Sequence, residues 1–444
     1  MFKWLLSSQL RVNMVASSTT AVVDLIVVAI AYPLYLHFLG YEKYGVWLIL
    51  ATVLTLAQLG NLGISSAVMK LIAEEYGHGN TKGIQNYLTT GLAILLLSGT
   101  LALILILLFR NRIITAFNLS GENAVIALQL LPYIAFLSVY VMLVQVLNSA
   151  ISGLGRMDMA KYIVSCSRVV TVGTSLILLS FGKGIESLLI GNVLSYIFVG
   201  AASFLFIRKT VKMSLFRTSN LDSRSFRKLM RFGGGVFSGS LINMVLHPFN
   251  KLMLSRYAGI SSIPVYEIAF NGSMKIRGLF EVGLRALLPE ISRIGANMTK
   301  YARDRISQIN RRSIRIVLAG GLPLYGLIIL FCAPLLKLWL REDFSPLLPT
   351  ALRIMLVGTF LGLLCVPAYY TLLGLERVRY CLYSNAIQTG ANIIIVLGVI
   401  VLSSELAVSD VAWAVLVAMT LTSMYVLFQK HRMITAIAQP KSVG

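Results

Sequence analysis

Apolar runs recur along this chain, and polar positions gather in the short connections between them. A helix needs about 20 mostly apolar residues to cross a hydrocarbon core about 30 Å thick. Twelve such spans can be drawn, at 14–38, 46–72, 87–109, 124–150, 161–181, 187–207, 233–256, 263–291, 313–334, 347–373, 381–403 and 408–428. The predicted class is an all-α polytopic membrane protein. Asp24 interrupts the first run and Pro33 follows closely, so that run is kept as a span and not as a cleaved leader.

The connections alternate in charge. Those placed inside are the N-terminus, 73–86, 151–160, 208–232, 292–312, 374–380 and the C-terminal tail. The longest carry Arg208, Lys209, Lys212, Arg217, Arg224, Arg227, Lys228 and Arg231, then Arg293, Lys300, Arg303, Arg305, Arg311 and Arg312. The opposite connections hold few cations. Cytoplasmic loops carry the Lys/Arg excess, which predicts cytoplasmic termini. The rule also accounts for the net charge of +22, so no nucleic-acid partner is expected. Charged residues make up 13% of the chain, against about 25% in a soluble protein. Cys166, Cys332, Cys365 and Cys381 lie in or beside apolar spans without ligand spacing, so neither a disulfide nor a metal site is expected.

The 208–232 segment separates two halves of six spans. Gly153-Leu154-Gly155-Arg156 follows the fourth span, and Gly374-Leu375-Glu376-Arg377 follows the tenth. Leu131-Pro132 and Leu348-Pro349 open the same two spans. Leu39-Gly40-Tyr41 and Tyr257-Ala258-Gly259 end the first and seventh. An even number of spans per half implies a parallel repeat about an axis along the membrane normal. The expected architecture is two six-helix bundles related by a pseudo-two-fold axis around a central hydrophilic cavity. The predicted domains are 1–207, a basic cytoplasmic linker 208–232, and 233–444.

The eighth span departs from the apolar pattern. It carries Glu267, Lys275, Arg277, Glu281 and Arg285 between Pro264 and Pro289. At about 100° per residue, Arg277 and Arg285 fall about 40° to either side of Glu281, and Glu267 shares that stripe. A charge at mid-membrane costs about 2.5–3.5 kcal/mol on insertion scales. The stripe therefore faces water, a polar substrate or other charges. A self-neutralised seam that locks helices together is the alternative, because Arg277, Glu281 and Arg285 follow i, i+4, i+8 spacing.

The seventh span adds Asn243, His247, Asn250 and Lys251 around a Pro248 kink. Lys251, Lys275, Arg277 and Arg285 are the candidate anion holders, suited to a diphosphate or an acidic sugar. Asp24, Glu267, Glu281 and His247 are candidates for proton coupling or charge pairing, and Asp24 could equally pair with Arg168 or Lys251. Gln58, Asn61, Gln145, Asn148, Tyr369 and Tyr370 are polar lining, or else interhelical hydrogen bonds. No Walker, His-Glu-x-x-His or Gly-x-Ser-x-Gly pattern occurs, so no enzyme is expected.

The run from Pro33 to Glu74 contains Leu39-Gly40, Tyr44-Gly45, Leu-Gly pairs at 59–60 and 62–63, and Ala73-Glu74. With the Gly-Leu-Gly-Arg turn and Leu288-Pro289-Glu290-Ile291-Ser292, it resembles the O-antigen flippase (Wzx-like) branch of the multidrug/oligosaccharidyl-lipid/polysaccharide exporter superfamily. The resemblance covers essentially the whole chain. It implies a transporter of the bacterial cytoplasmic (inner) membrane that flips an undecaprenyl-diphosphate-linked glycan by alternating access. It implies cavity cations that hold the diphosphate, and a place for Asp24 like the first-helix acid of related drug exporters, where proton or sodium coupling applies. No other cofactor is expected. Membrane lipids and the polysaccharide polymerase machinery are the expected surroundings. A multidrug or cation extruder, a peptidoglycan-precursor flippase and a non-transporting scaffold remain alternatives.

Overall fold

The computed structural model of the chain describes residues 8–211, 221–295 and 300–436. Lys212 and Arg217 lie outside that set, as do the side chains of Asn243 and Lys300. Among the described residues every regular element is helical. The helices form two compact units, one up to Leu241 and one from Ile242 onward.

The first unit contains α1 (Ser8–Ala57), α2 (Ile64–Gly77), α3 (Thr81–Leu108), the short α4 (Arg110–Ala116), α5 (Gly121–Gly153), α6 (Met157–Ser180), α7 (Glu186–Val211) and the start of α8 (Ser223–Tyr257). α1 holds the first expected segment and only the start of the second, 46–72. That second segment is interrupted by a 3-10 turn at Gln58–Asn61 and a left-handed step at Leu62 and Gly63 before it resumes as α2. α1 itself breaks at Gly40, whose φ of 67° and ψ of 174° suit only glycine. A Cβ there would meet open space, so the backbone angle alone sets the requirement. Gly63 is constrained twice: its φ is 73°, and a Cβ would stand 2.3 Å from the Gly233 carbonyl oxygen.

The second unit contains the rest of α8, then α9 (Ser262–Leu284), α10 (Leu287–Gly295), α11 (Lys300–Leu330), α12 (Cys332–Leu340), α13 (Leu347–Gly374), α14 (Val378–Ser403) and α15 (Val408–Ala436). Each unit is built on one central helix. In their apolar windows α5 is 61% buried and α13 is 67% buried, whereas the other spans reach at most 39%. Both central helices end in the same turn. Gly155 and Glu376 have φ of 80° and 59°. Arg156 N–H donates to the Ile151 carbonyl at 3.2 Å, and Arg377 N–H to the Leu372 carbonyl at 2.9 Å. This closes orphaned carbonyls at the helix end in Schellman fashion.

Among the described residues nine helices are long and apolar enough to cross a membrane. One of these, Thr19–Asn61, holds most of the first expected span and the start of the second. The expected spans 233–256 and 263–291 are helical but do not qualify: the first holds only two charges, Lys251 and Arg256, yet is rich in Gly, Ser and Asn, and the second carries the α9 charges. The chain is a multi-pass membrane protein.

The expected continuous helix over 263–291 is corrected. It stops at Leu284, turns at Arg285 and Ala286, and resumes as α10. Pro289 has no N–H to give the Arg285 carbonyl, and its ring crowds that carbonyl. α10 then buries Ile291 against Ile306 and Leu375. The expected linker is also shorter than its charges suggested. α7 continues to Val211, and α8 begins at Ser223, so Arg208, Lys209, Arg224, Arg227, Lys228 and Arg231 all lie on helices. Asp222 caps α8: its carboxylate accepts the N–H of Arg224 and of Ser225, each at 3.1 Å.

Candidate functional site

Within the second unit a cavity of about 350 Å³ opens between α8, α9, α13, α14 and α15. Arg277 and Glu281 form its charged wall, and His247, Phe270 and Met274 continue that side. Tyr369 and Cys365 line it from α13, and Ser384, Asn385 and Gln388 from α14. A one-turn spacing places Arg277 above Glu281 on α9. The guanidinium reaches α13, where a Cβ on Gly362 would stand 3.3 Å from Nη1. Arg277 Nε lies 3.5 Å from Glu281 Oε2, an ion pair by distance. The angle makes no hydrogen bond, and this buried Nε has no hydrogen-bond partner. The guanidinium thus keeps an unspent donor in a walled, polar space. The Tyr370 hydroxyl donates to Glu281 Oε1 at 3.5 Å and also interacts with Arg285.

Behind this wall lies a packed polar network. Lys251 Nζ is 2.8 Å from Glu267 Oε2, with side chains only 10% and 18% exposed. Asn271 Nδ2 donates to Glu267 Oε1 at 2.9 Å. Asn250 and Asn392 are fully buried, and Asn392 Nδ2 donates to Asn250 Oδ1 at 2.7 Å. Asn250 Nδ2 donates to the Tyr266 hydroxyl at 3.0 Å. That hydroxyl lies 3.2 Å from His247 Nδ1 and still has its proton to give, so a neutral imidazole with its proton on Nε2 satisfies the network. His247 packs edge-on to Phe270, with ring centroids 4.1 Å apart.

The sequence candidates therefore separate. Arg277, Glu281 and His247 meet at the cavity. Lys251 and Glu267 neutralise one another in the packed layer behind it. Arg285 is exposed at the C-terminal end of α9, and Lys275 is half-buried outside the cavity lining. In the first unit Asp24 is ion-paired with Arg168. Asp24 Oδ1 is buried without a hydrogen-bond partner and lines a second cavity of about 350 Å³, with Lys161, Ser165 and Arg168. The small polar residues mostly bond across helices. Gln145 Nε2 donates to Gln58 Oε1 at 2.8 Å, and Asn61 Nδ2 donates to Gln145 Oε1 at 2.9 Å. Asn148 Nδ2 donates to the Ala160 carbonyl at 3.1 Å.

Sequence reasoning passed over Asn385, Gln388 and Asn392. They follow Tyr380 and Tyr383 on α14 at positions 385, 388 and 392, a helical polar stripe inside an apolar span. That 3–4 spacing was the available signal.

A family model described as "Polysaccharide biosynthesis protein" matches residues 10–295. The chain belongs to this family. Within the polysaccharide biosynthesis family, the model's match runs from the first span through α10 and so includes the Arg277 wall. The "Putative O-antigen transporter" of Shigella flexneri is 21% identical over 345 residues, covering 77% of this chain and 79% of that protein. Among solved structures, an inward-facing multidrug resistance MATE family transporter of the MOP superfamily superposes with a TM-score of 0.73. It is 16% identical, and 93% of this chain and 95% of that one are covered. The lipid II flippase MurJ, in an inward closed conformation, also gives 0.73, at 18% identity with 96% and 89% covered. A MOP superfamily transporter from Pyrococcus furiosus, described as having a binding pocket of reverse polarity, gives 0.63 at 16% identity, with 96% of each chain covered. The fold is that of the MOP superfamily transporters, and the family and these neighbours are transporters or flippases, not enzymes.

Proposed function

We propose that this protein flips an undecaprenyl-diphosphate-linked oligosaccharide from the cytoplasmic to the outer leaflet of the bacterial inner membrane, with both termini cytoplasmic. The observation that carries the reading is Arg277. Its guanidinium stands in a polar cavity inside a membrane-spanning unit and retains an unbonded Nε donor. A buried cation with a free donor is costly unless something anionic arrives. A diphosphate or an acidic sugar supplies oxygens in the geometry that a guanidinium matches. Asn385, Gln388 and Tyr369 line the same space with groups suited to sugar hydroxyls. The family match and the relative named for O-antigen transport support a lipid-linked glycan as cargo.

In this reading Arg277 holds the anion, Glu281 positions the guanidinium and is itself held by the Tyr370 hydroxyl, and Arg285 and Lys275 contribute positive potential near the path. Asp24 couples the cycle to a proton or sodium gradient. The test is a vesicle assay of leaflet exchange with an undecaprenyl-diphosphate-linked oligosaccharide, run with wild type and Arg277→Ala at matched protein levels. Loss of exchange in the variant supports the assignment. Equal exchange by both removes Arg277 from the function. In cells lacking the protein, a completed lipid-linked unit should accumulate on the cytoplasmic face; raised sensitivity to cationic drugs with normal surface glycan would move it to the extruders.

A further inference from the structure

A groove of about 670 Å³ lies outside the polar site, within the first unit. α3 and α7 each pack on α5, and the groove runs between them with α5 as its floor. Leu92, Leu96, Leu143, Leu147 and Phe204 line it, and Gly200 and Ala201 leave α7 thin along it. Leu96 and Ile197 are about half exposed, at 53% and 49%, so the groove opens sideways from the unit. It holds no charged side chain.

Its depth is readable from helix rise. Thr89 to Leu96 lie roughly 12–22 Å from the start of α3, and Tyr140 to Leu147 roughly 9–20 Å from the end of α5. Those helix ends adjoin the connections 73–86 and 151–160, which the expected topology places on the cytoplasmic side, so on that topology the groove occupies the cytoplasmic half of the hydrocarbon layer. The cations of its mouth lie along the start of α8. Leu221 lines the groove and is followed by the capping Asp222 and by Arg224, Arg227, Lys228 and Arg231. Lys228 stands over Tyr87, two residues before Thr89 on α3, at 5.9 Å from the ring centre. Arg156 stands over Phe206, two residues past Phe204 on α7, at 5.8 Å. The acids nearby are Asp158, which is ion-paired with Arg156, and Glu74 and Glu75, which face Lys228.

We propose that this groove seats the proximal polyprenyl tail of the lipid-linked substrate at the cytoplasmic leaflet, with its diphosphate under the cations at the mouth. This rests on the flippase reading above and extends it from the head-group cavity to the tail. An apolar channel ending under several cations matches a polyanionic head on one long chain better than the zwitterionic head of a common phospholipid. Substrate is thereby concentrated beside the protein before its head enters the polar cavity.

The experiment places a photo-crosslinking amino acid at Leu96, and as control at Leu108, which is 70% exposed at the other end of α3. Proteoliposomes of phosphatidylethanolamine and phosphatidylglycerol carry an undecaprenyl-diphosphate-linked saccharide, and adducts are read by mass spectrometry. The expected result is a polyprenyl adduct at Leu96 in at least fivefold excess over Leu108, unchanged by Arg277→Ala. Ala201→Trp, which fills the groove from the lipid side, should cut leaflet exchange at least tenfold. Phospholipid adducts alone at Leu96, together with unchanged exchange by Ala201→Trp, overturn the groove and leave the flippase reading standing. Wild-type protein that exchanges no lipid-linked saccharide overturns both.

Discussion

Lys251 and Glu267 meet at 2.8 Å across α8 and α9, where both side chains are largely withdrawn from water. A pair so placed resists the loss of one partner far more than the loss of both, because a lone buried charge is left uncompensated. Lys251→Met or Glu267→Leu alone should lower stability by about 3 kcal/mol, and the two together should recover most of that loss. Thermal unfolding in detergent, read as a double-mutant cycle, checks the recovery. Additive losses would show that the two side chains act independently.

Arg277 is expected to behave differently. Arg277→Ala should reduce leaflet exchange roughly tenfold to a hundredfold, the equivalent of about 1.5–3 kcal/mol for a charge-assisted hydrogen bond. Arg277→Lys should restore part of it where charge suffices and none where the planar fork is required. Gly362→Ala would press a methyl to 3.3 Å from Nη1 and should give an intermediate loss by displacing the guanidinium. Exchange rates at equal protein levels, with thermal unfolding to confirm folding, distinguish these outcomes.

The Asp24–Arg168 pair separates packing from coupling. Asp24→Asn leaves Arg168 without its partner and should lower the yield of folded protein. Asp24→Asn with Arg168→Gln should restore the yield. If Asp24 couples the cycle, the double variant still equilibrates lipid between leaflets but no longer accumulates it against a gradient. Accumulation that persists in the double variant removes Asp24 from coupling.

At the helix-ending turn, Glu376 holds a φ of 59°, a region that costs an L side chain roughly 1–2 kcal/mol. Glu376→Gly should therefore raise stability by about 1 kcal/mol, and Gly155→Glu should lower it by a similar amount. Melting temperatures of opposite sign for these two changes are the expected readout.

The cap of α8 carries a pH dependence. The Arg224 backbone N–H and the Ser225 hydroxyl hold the Asp222 carboxyl below its ordinary value. A depressed carboxylate stabilises while ionised, so the contribution is present above the ordinary Asp range and is lost as pH falls below about 4. The protection factors of the Arg224 and Ser225 amides, taken against the intrinsic exchange rate at each pH, should fall in that acid window. Asp222→Asn should remove the pH dependence while keeping most of the protection.

Much of the fold was legible because membrane spans announce themselves by length and by the placement of Lys and Arg. The stripe on α9 was legible because 3.6-residue periodicity places Arg277 over Glu281. Its continuation was not, since Pro289 stops the ladder at Arg285 and turns that residue toward solvent. Lys251 and Glu267 looked like cavity charges because a sequence lists charges without showing which of them face each other. Gln58, Asn61 and Gln145 favoured interhelical bonds over lining in the sequence; the structure bonds them to one another across helices, and Gln145 also lines a cavity. Asn385, Gln388 and Asn392 escaped notice because uncharged amides barely lower the hydropathy of an otherwise apolar span.

The turns after α5 and α13 show what this kind of helix ending requires. Glycine occupies the left-handed step in one and glutamate in the other, yet the amide-to-carbonyl closures around both are the same. What the two turns share is a backbone angle held by its flanking closures. Likeness between the two units is accordingly to be sought in dihedral sequences rather than in letters.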